Sequence, residues 1–386
     1  MSGVHRLTGV IRPYAWGSRT FLAGLQGRPT PSDAPEAELW LGAHPGDPST
    51  VDGHHGPASL ADVIEADPAG QLGEQAVEQY GPRLPYLMKV LAASAPLSLQ
   101  AHPDLAYARQ AFAAQEADPS LPRNYTDANH KPEMLVALTP FQALCGFRSP
   151  AVSADALAAL EVPALEPVVA ALRGGVDGLS EAVRLLLTWP SGDREPLVSA
   201  AASGPGSALV TTLAKHYPND PGVLVALLLN HVTLEPGQAI WMPAGNLHAY
   251  LEGAGVEIMA ASDNVLRGGL TPKRVDVDEL LRVLRFEVLE DPILPATELS
   301  PGVTTWQVPI KDFALYRLEL SGSRPPTPIP AGGPRLIVGV EGDAFAAEDH
   351  GTPVEITPGT AAFAAADAGP VSVAGTGTVF VAAPAA

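Results

Sequence analysis

Residues 236–252 read PGQAIWMPAGNLHAYLE, and the spacing of Gly237, Pro243, Gly245 and His248 constrains the local fold more than any other stretch. Apolar and polar residues alternate on both sides of Pro243–Gly245, the pattern of two strands joined by a tight turn. The second strand carries His248 to the inner face, and Tyr250 shares that face because side chains at i and i+2 point the same way. A second segment, SLQAHPDLAYA at 98–108, places Gln100 and His102 two residues apart after an apolar run from Leu84 to Leu99. One face of a buried strand then carries an amide and an imidazole where aliphatic groups belong. A pair of metal ligands is one reading of that face; an ordinary core or surface histidine is the other.

The whole-chain totals narrow the function. A length of 386 residues with 46% hydrophobic content suits two or three domains, or one large core with an insertion. The formal net charge of −19 opposes nucleic acid and anionic membranes, and no basic tract offsets it. A phosphorylated substrate would need a local cluster of cations. The single cysteine, Cys145, cannot close an intrachain disulfide, which fits a cytoplasmic protein. No signal-peptide core stands at the N-terminus, and apolar runs such as VLVALLL at 223–229 fall far short of the roughly 20 residues a membrane span needs.

The segments define an α+β chain, mainly β. Residues 1–150 mix strand candidates, such as 38–49 and 84–94, with two helices that start at Ser59 and at Asp104. Residues 151–228 are rich in Ala and Leu at helical spacing and read as an all-α insert that acts as scaffold. Strand patterning returns over 229–300, with a closing helix expected at 272–286. Residues 301–386 alternate between Gly/Pro turns and predict a second β-barrel or sandwich without catalytic groups.

The Gly237–His248 spacing resembles the second metal-binding motif of cupins, so the first and third segments are expected to build one jelly roll. In the usual His-x-His place of the first cupin motif stands Gln100-Ala101-His102. A carboxylate ligand is still needed. The stretch YTDANHKPEM at 125–134 offers Glu133, directly ahead of a β-run, with His130 as its competitor. Mixed nitrogen and oxygen sets suit zinc at about 2.0–2.2 Å with a position left open, and iron or manganese also fits such a set.

Five blocks together, YAWG (14–17), AELWLGAHP (37–45), LSLQAHPD (97–104), YTDANHKPEM (125–134) and HAYLEGAGVEIMAASDNVLRGGLTPK (248–273), resemble type I mannose-6-phosphate isomerases. One departure is Leu105, where the family commonly has Lys. The resemblance implies interconversion of mannose 6-phosphate and fructose 6-phosphate through an enediol. It also implies one Zn2+ per chain, held by Gln100, His102, Glu133 and His248. A monomer that acts on a free hexose 6-phosphate is expected.

The remaining polar residues of these blocks are the catalytic and substrate-binding candidates. Arg267 is the leading catalytic cation, because a guanidinium stays charged and grips two oxygens at once. Only five lysines stand against 18 arginines, and Lys89, Lys131 and Lys273 fall in or beside the blocks. Lys131 is a candidate to meet substrate or shuttle protons; Lys89, Lys273 and Ser98 are candidates for the phosphate. Glu257, Lys131 and His44 are the candidate bases, and Glu257 has a structural alternative as an ion-pair partner of Arg267. Trp16, Glu38, His44 and Tyr250 are expected to line the pocket. The rival readings are an iron-dependent cupin oxygenase and a sugar-binding cupin without turnover.

Overall fold

The computed structural model describes residues 2–53 and 56–385. They form a mixed structure of helix and sheet in which sheet predominates. The site is organised by one long strand, His248–Ala260, at the centre of an 11-stranded antiparallel sheet. The first half of this strand pairs with Leu99–Ala101 on one side and Phe141–Phe147 on the other. Its second half pairs with Tyr86–Ala93 and Glu133–Ala137. The register shifts between Tyr250 and Glu252, and Gly253 follows at φ 124°. A side chain at Gly253 would meet the Pro140 carbonyl oxygen at 2.7 Å, so the bend requires glycine.

Strand alternation then sorts the residues by face. Tyr86, Met88, Val90, Val256, Ile258, Leu39, Leu41, Met134 and Val136 share one apolar core with Leu336, Phe363 and Phe380 of the C-terminal region. The intervening residues Glu38, Trp40, Lys89, Glu133, Glu257 and Met259 line a cavity on the opposite face. The apolar run at 84–99 therefore has one core face and one face that turns polar at Lys89.

The C-terminal strands form most of a nine-stranded sheet and a small four-stranded sheet. The sheets do not divide at the expected boundary near residue 300. Val4–Thr8 pairs with Ala361–Ala364 and with Thr50–Gly53, so three N-terminal strands, with Gly56–Ser59, lie in the nine-stranded sheet. The Tyr86 hydroxyl donates to the Pro334 and Ala382 carbonyls, tying the two sheets together through a buried polar contact.

Helices follow one another from Pro150–Ala158 to Gly222–Val225, and their leucines and valines share a core with Leu99, Leu144 and Leu247. The helix expected at 272–286 is a correction: it spans only Val277–Val283. Asp276 caps it by accepting the Glu279 amide, so the preceding residues cannot be helical, and Leu284 is already extended. Among the described residues no helix is long and apolar enough to cross a membrane.

Candidate metal centre

The Pro243–Asn246 turn delivers His248 as the spacing predicted. Gly245 lies at φ 79°, and a side chain there would meet the Val283 carbonyl at 2.9 Å. Its amide donates to the His102 carbonyl at 2.8 Å, which docks the turn against the second histidine. His248 and Gln100 are directly paired across neighbouring strands, and Arg267 is the partner of Gln100 on the far side.

Three groups converge here: His102, Glu133 and His248 each offer a ligand atom, all within 4.8 Å of one another and all buried. Both imidazoles are oriented from behind. His102 Nδ1 lies 2.6 Å from the Asn264 carbonyl oxygen and His248 Nδ1 lies 3.0 Å from that of Asn246. A carbonyl only accepts, so both rings carry their proton on Nδ1 and turn the Nε2 lone pair inward. His248 Nε2 then faces Glu133 Oε2 at 3.0 Å, and His102 Nε2 lies 3.5 Å from Glu133 Oε1. His102 Nε2 is buried without a hydrogen-bond partner. Burial, opposed by the Glu133 charge, holds the His102 imidazole down to about 4, so it is neutral at working pH. Lone pairs facing a carboxylate repel unless positive charge sits between them, and a divalent cation meets that demand. The Gln100 amide nitrogen is 3.4 Å from His248 Nε2; the flipped amide presents its oxygen to the same point. The donor set of two nitrogens with carboxylate and amide oxygens fits zinc. His130, the competitor of Glu133, does not converge with the two histidines; its Nε2 is bonded to Asp312 at 3.0 Å.

Above the cluster opens a cavity of 540 Å³. Among its lining residues are Trp16, Glu38, Lys89, Ser98, Gln100, Lys131, Glu133, Tyr250, Glu257, Arg267 and Lys273. His44 is the one pocket candidate that does not line it; its Nε2 instead bonds Asp263, which does, at 3.0 Å. Because the Gly46 amide donates to His44 Nδ1, the proton lies on Nε2 and is given to Asp263. That hydrogen bond holds the Asp263 carboxyl below its ordinary range.

Two cations balance the carboxylates of the floor. Lys131 Nζ lies 3.1 Å from Glu133 Oε1. Lys89 Nζ lies 2.9 Å from Glu257 and 5.4 Å from the centre of the Trp40 ring. Burial pulls the Lys89 pKa down, but Glu257, Glu38 and Glu133 outweigh it and keep the ammonium charged. Burial raises the Glu257 carboxyl; Lys89 opposes this and Glu133 and Glu38 add to it. The other Glu257 oxygen accepts the Tyr250 hydroxyl at 2.7 Å. Glu257 therefore pairs with Lys89 and not with Arg267, which corrects the structural alternative stated for it. Arg267 Nη1 donates to Ser98 Oγ at 2.6 Å.

Several lining residues were not singled out in the sequence: Tyr14, Trp40, Asp263 and, from the helical insert, Tyr217. Asp263 and its neighbour Asn264 form a polar step between an apolar strand and Arg267, a signal present in the chain but unread. Tyr217 gave none, since only the folded insert brings it to the rim.

A buried His–Glu–His cluster beneath an open polar cavity is the arrangement of a metal-dependent enzyme, since a purely structural site closes around its ion. The family model for the phosphomannose isomerase type I catalytic domain matches residues 4–150. Mannose-6-phosphate isomerase of Escherichia coli (strain K12) is 38% identical over 394 residues, covering 97% of this chain and 98% of its own. The chain belongs to the type I phosphomannose isomerase family. The Rattus norvegicus mannose-6-phosphate isomerase is 34% identical, with 83% of each chain covered. A mannose 6-phosphate isomerase crystal structure bound with zinc and yttrium superposes with a TM-score of 0.90 at 34% identity, covering 99% of this chain and 100% of that one. A phosphomannose isomerase variant from Salmonella typhimurium gives 0.92 at 34% identity, with the same coverage.

Proposed function

We propose that this chain is a zinc-dependent aldose–ketose isomerase that interconverts mannose 6-phosphate and fructose 6-phosphate. The observation that carries the reading is the convergence of His102, Glu133 and His248 at the base of a cavity that also holds Arg267, Lys131 and Glu257. Gln100, His102, Glu133 and His248 would hold one Zn2+, which when bound supplies Lewis-acid polarisation of a sugar oxygen.

The chain's own groups perform the proton transfers. Glu257 is the base that takes the carbon-bound proton, its two oxygens fixed by Lys89 and Tyr250 and its carboxyl raised toward the working range. Arg267 holds the oxygens of the enediol in a two-point grip. Lys131 exchanges the proton at the hydroxyl oxygens. Trp16 and Glu38 line the sugar pocket. Lys273, exposed at the rim, takes the phosphate with Ser98, while Lys89 balances the buried carboxylates beneath.

The pairing of His248 with Gln100 on neighbouring strands of the 11-stranded sheet supports a cupin-type jelly roll. A catalytic unit from 1–150 and 229–300, a helical insert and a C-terminal β unit remain our organisation, with three N-terminal strands shared into the last. A cytoplasmic monomer acting on a free sugar phosphate completes the proposal; the lone buried Cys145 supports the compartment.

A coupled assay with each hexose 6-phosphate, before and after chelation and after zinc restoration, tests it. Turnover lost on chelation and regained with zinc is expected. A zinc-loaded protein that turns over neither sugar would end the isomerase reading.

A further inference from the structure

Asn264 is only 1% exposed, and every polar atom it owns is engaged across two loops. Its carbonyl oxygen takes the His102 Nδ1 proton at 2.6 Å. Its side-chain oxygen accepts the Thr126 amide at 2.9 Å and the Asp127 amide at 3.3 Å. Its side-chain nitrogen donates to the Asp127 and Asn129 carbonyls, both at 2.8 Å. Its own amide donates to Ser262 Oγ, which donates in turn to the Asp127 carboxylate at 2.9 Å. The Asp127 carboxylate also receives the Asp263 amide at 2.9 Å.

The loop clamped on one side runs on into Lys131 and Glu133, and the loop on the other runs on into Arg267. The backbone carbonyl of Asn264 holds a candidate metal ligand, and its carboxamide ties that carbonyl's loop to the segment that presents the second ligand. Only an amide satisfies this place. It must accept from two N–H groups and donate to two carbonyls, and a carboxylate or an apolar group leaves buried partners unmet.

We infer that Asn264 is a positioning residue of the metal site: its carboxamide fixes the loop that aims its own backbone carbonyl at His102 Nδ1, and it holds the Lys131–Glu133 segment in register with that histidine. The inference rests on the metal reading above. Partners behind a metal-bound histidine set both ring orientation and affinity, and losing them weakens binding about 10–100-fold.

The test is a zinc titration of the folded protein against a chromophoric chelator. The wild-type chain, Asn264→Asp and Asn264→Ala are compared. A control, Thr305→Val, loses a buried hydrogen bond of 2.8 Å to the Leu315 carbonyl in the C-terminal sheet. The zinc dissociation constant should rise about 10–100-fold in both Asn264 variants and stay unchanged in the control at comparable thermal destabilisation. Nitrogen-15 NMR of the metal-free protein should show His102 as a single Nδ1–H tautomer in the wild type and as a mixture in Asn264→Asp. Should the Asn264 variants fail to fold, Ser262→Ala, which removes the hydroxyl shared by Asp127 and Asn264, should weaken zinc in the same direction. Wild-type affinity in whichever variants fold would overturn the positioning role alone. A wild-type chain that binds no zinc would overturn the metal reading and this inference together.

Discussion

Lys89 Nζ lies 2.9 Å from Glu257 Oε2 and 3.5 Å from Glu38 Oε1, and all three side chains are buried. One ammonium thus stands between two largely buried carboxylates. Lys89→Met should lower unfolding stability by about 3–5 kcal/mol, because it strands buried charge. Lys89→Met with Glu257→Gln should recover part of that loss. Denaturant titration reads both, and a single variant within about 1 kcal/mol of wild type would contradict the pairing.

Removing a ring from the cluster separates binding from scaffolding. His248→Ala should purify folded but with little zinc, and its activity should fall by at least about a thousandfold, the loss of Lewis-acid stabilisation worth several kcal/mol. Elemental analysis that returned one full equivalent of zinc would remove His248 from the ligand set.

Arg267 offers the opposite dissociation. It touches Ser98 and Gln100's strand and no candidate ligand atom, so Arg267→Ala should keep its zinc while kcat falls about 100- to 1000-fold, the scale of a lost preorganised donor. Arg267→Lys should restore only a small part, since an ammonium cannot grip two oxygens in one plane. Unchanged kcat in Arg267→Ala would place the enediol grip elsewhere.

Asp263 gives a pH signature. Its carboxyl is held below the ordinary value by the His44 hydrogen bond, so the folded state releases this proton more readily than the unfolded chain. The resulting stability is fully present above the unfolded value of about 3.9 and is lost as pH falls through the lower folded value. His44→Ala should raise the Asp263 titration point, seen by carboxyl carbon-13 NMR, and flatten this part of the acid limb of a stability–pH curve. An Asp263 titration unmoved by His44→Ala would dismiss the contact as energetically silent.

The legible parts of this molecule are those with short-range physical rules. Alternation placed Gln100 beside His102, and the Pro243–Gly245 turn aimed His248 inward, so three of the four candidate ligands follow from local geometry. Glu133 was separable from His130 only by resemblance, because His130 stands just ahead of the strand that Glu133 begins; the fold decides between them by bringing Glu133 to His102 and His248. The Ser59 and Asp104 caps were readable as side chains that accept from the first helical turn. Apolar spacing alone runs the last helix too far, because it is blind to the Asp276 cap that starts it at Val277. Burial made Lys89 a neutralising group rather than an open phosphate ligand, and no window of sequence reveals that Glu38 and Glu257 will arrive beside it. The His44–Asp263 contact joins two loops with no shared periodicity, and so it left no trace in the pattern.

Val4–Thr8 lies between Ala361–Ala364 and Thr50–Gly53 in the nine-stranded sheet. A ribosome makes Val4–Thr8 long before it makes Ala361–Ala364, the strand that covers one of its edges. Until then Val4–Thr8 is covered on one side alone, by Thr50–Gly53, and its other edge has no partner. Completion of the nine-stranded sheet is therefore timed by a segment far along the polypeptide, and nascent chains halted before residue 361 should be the ones that chaperones hold.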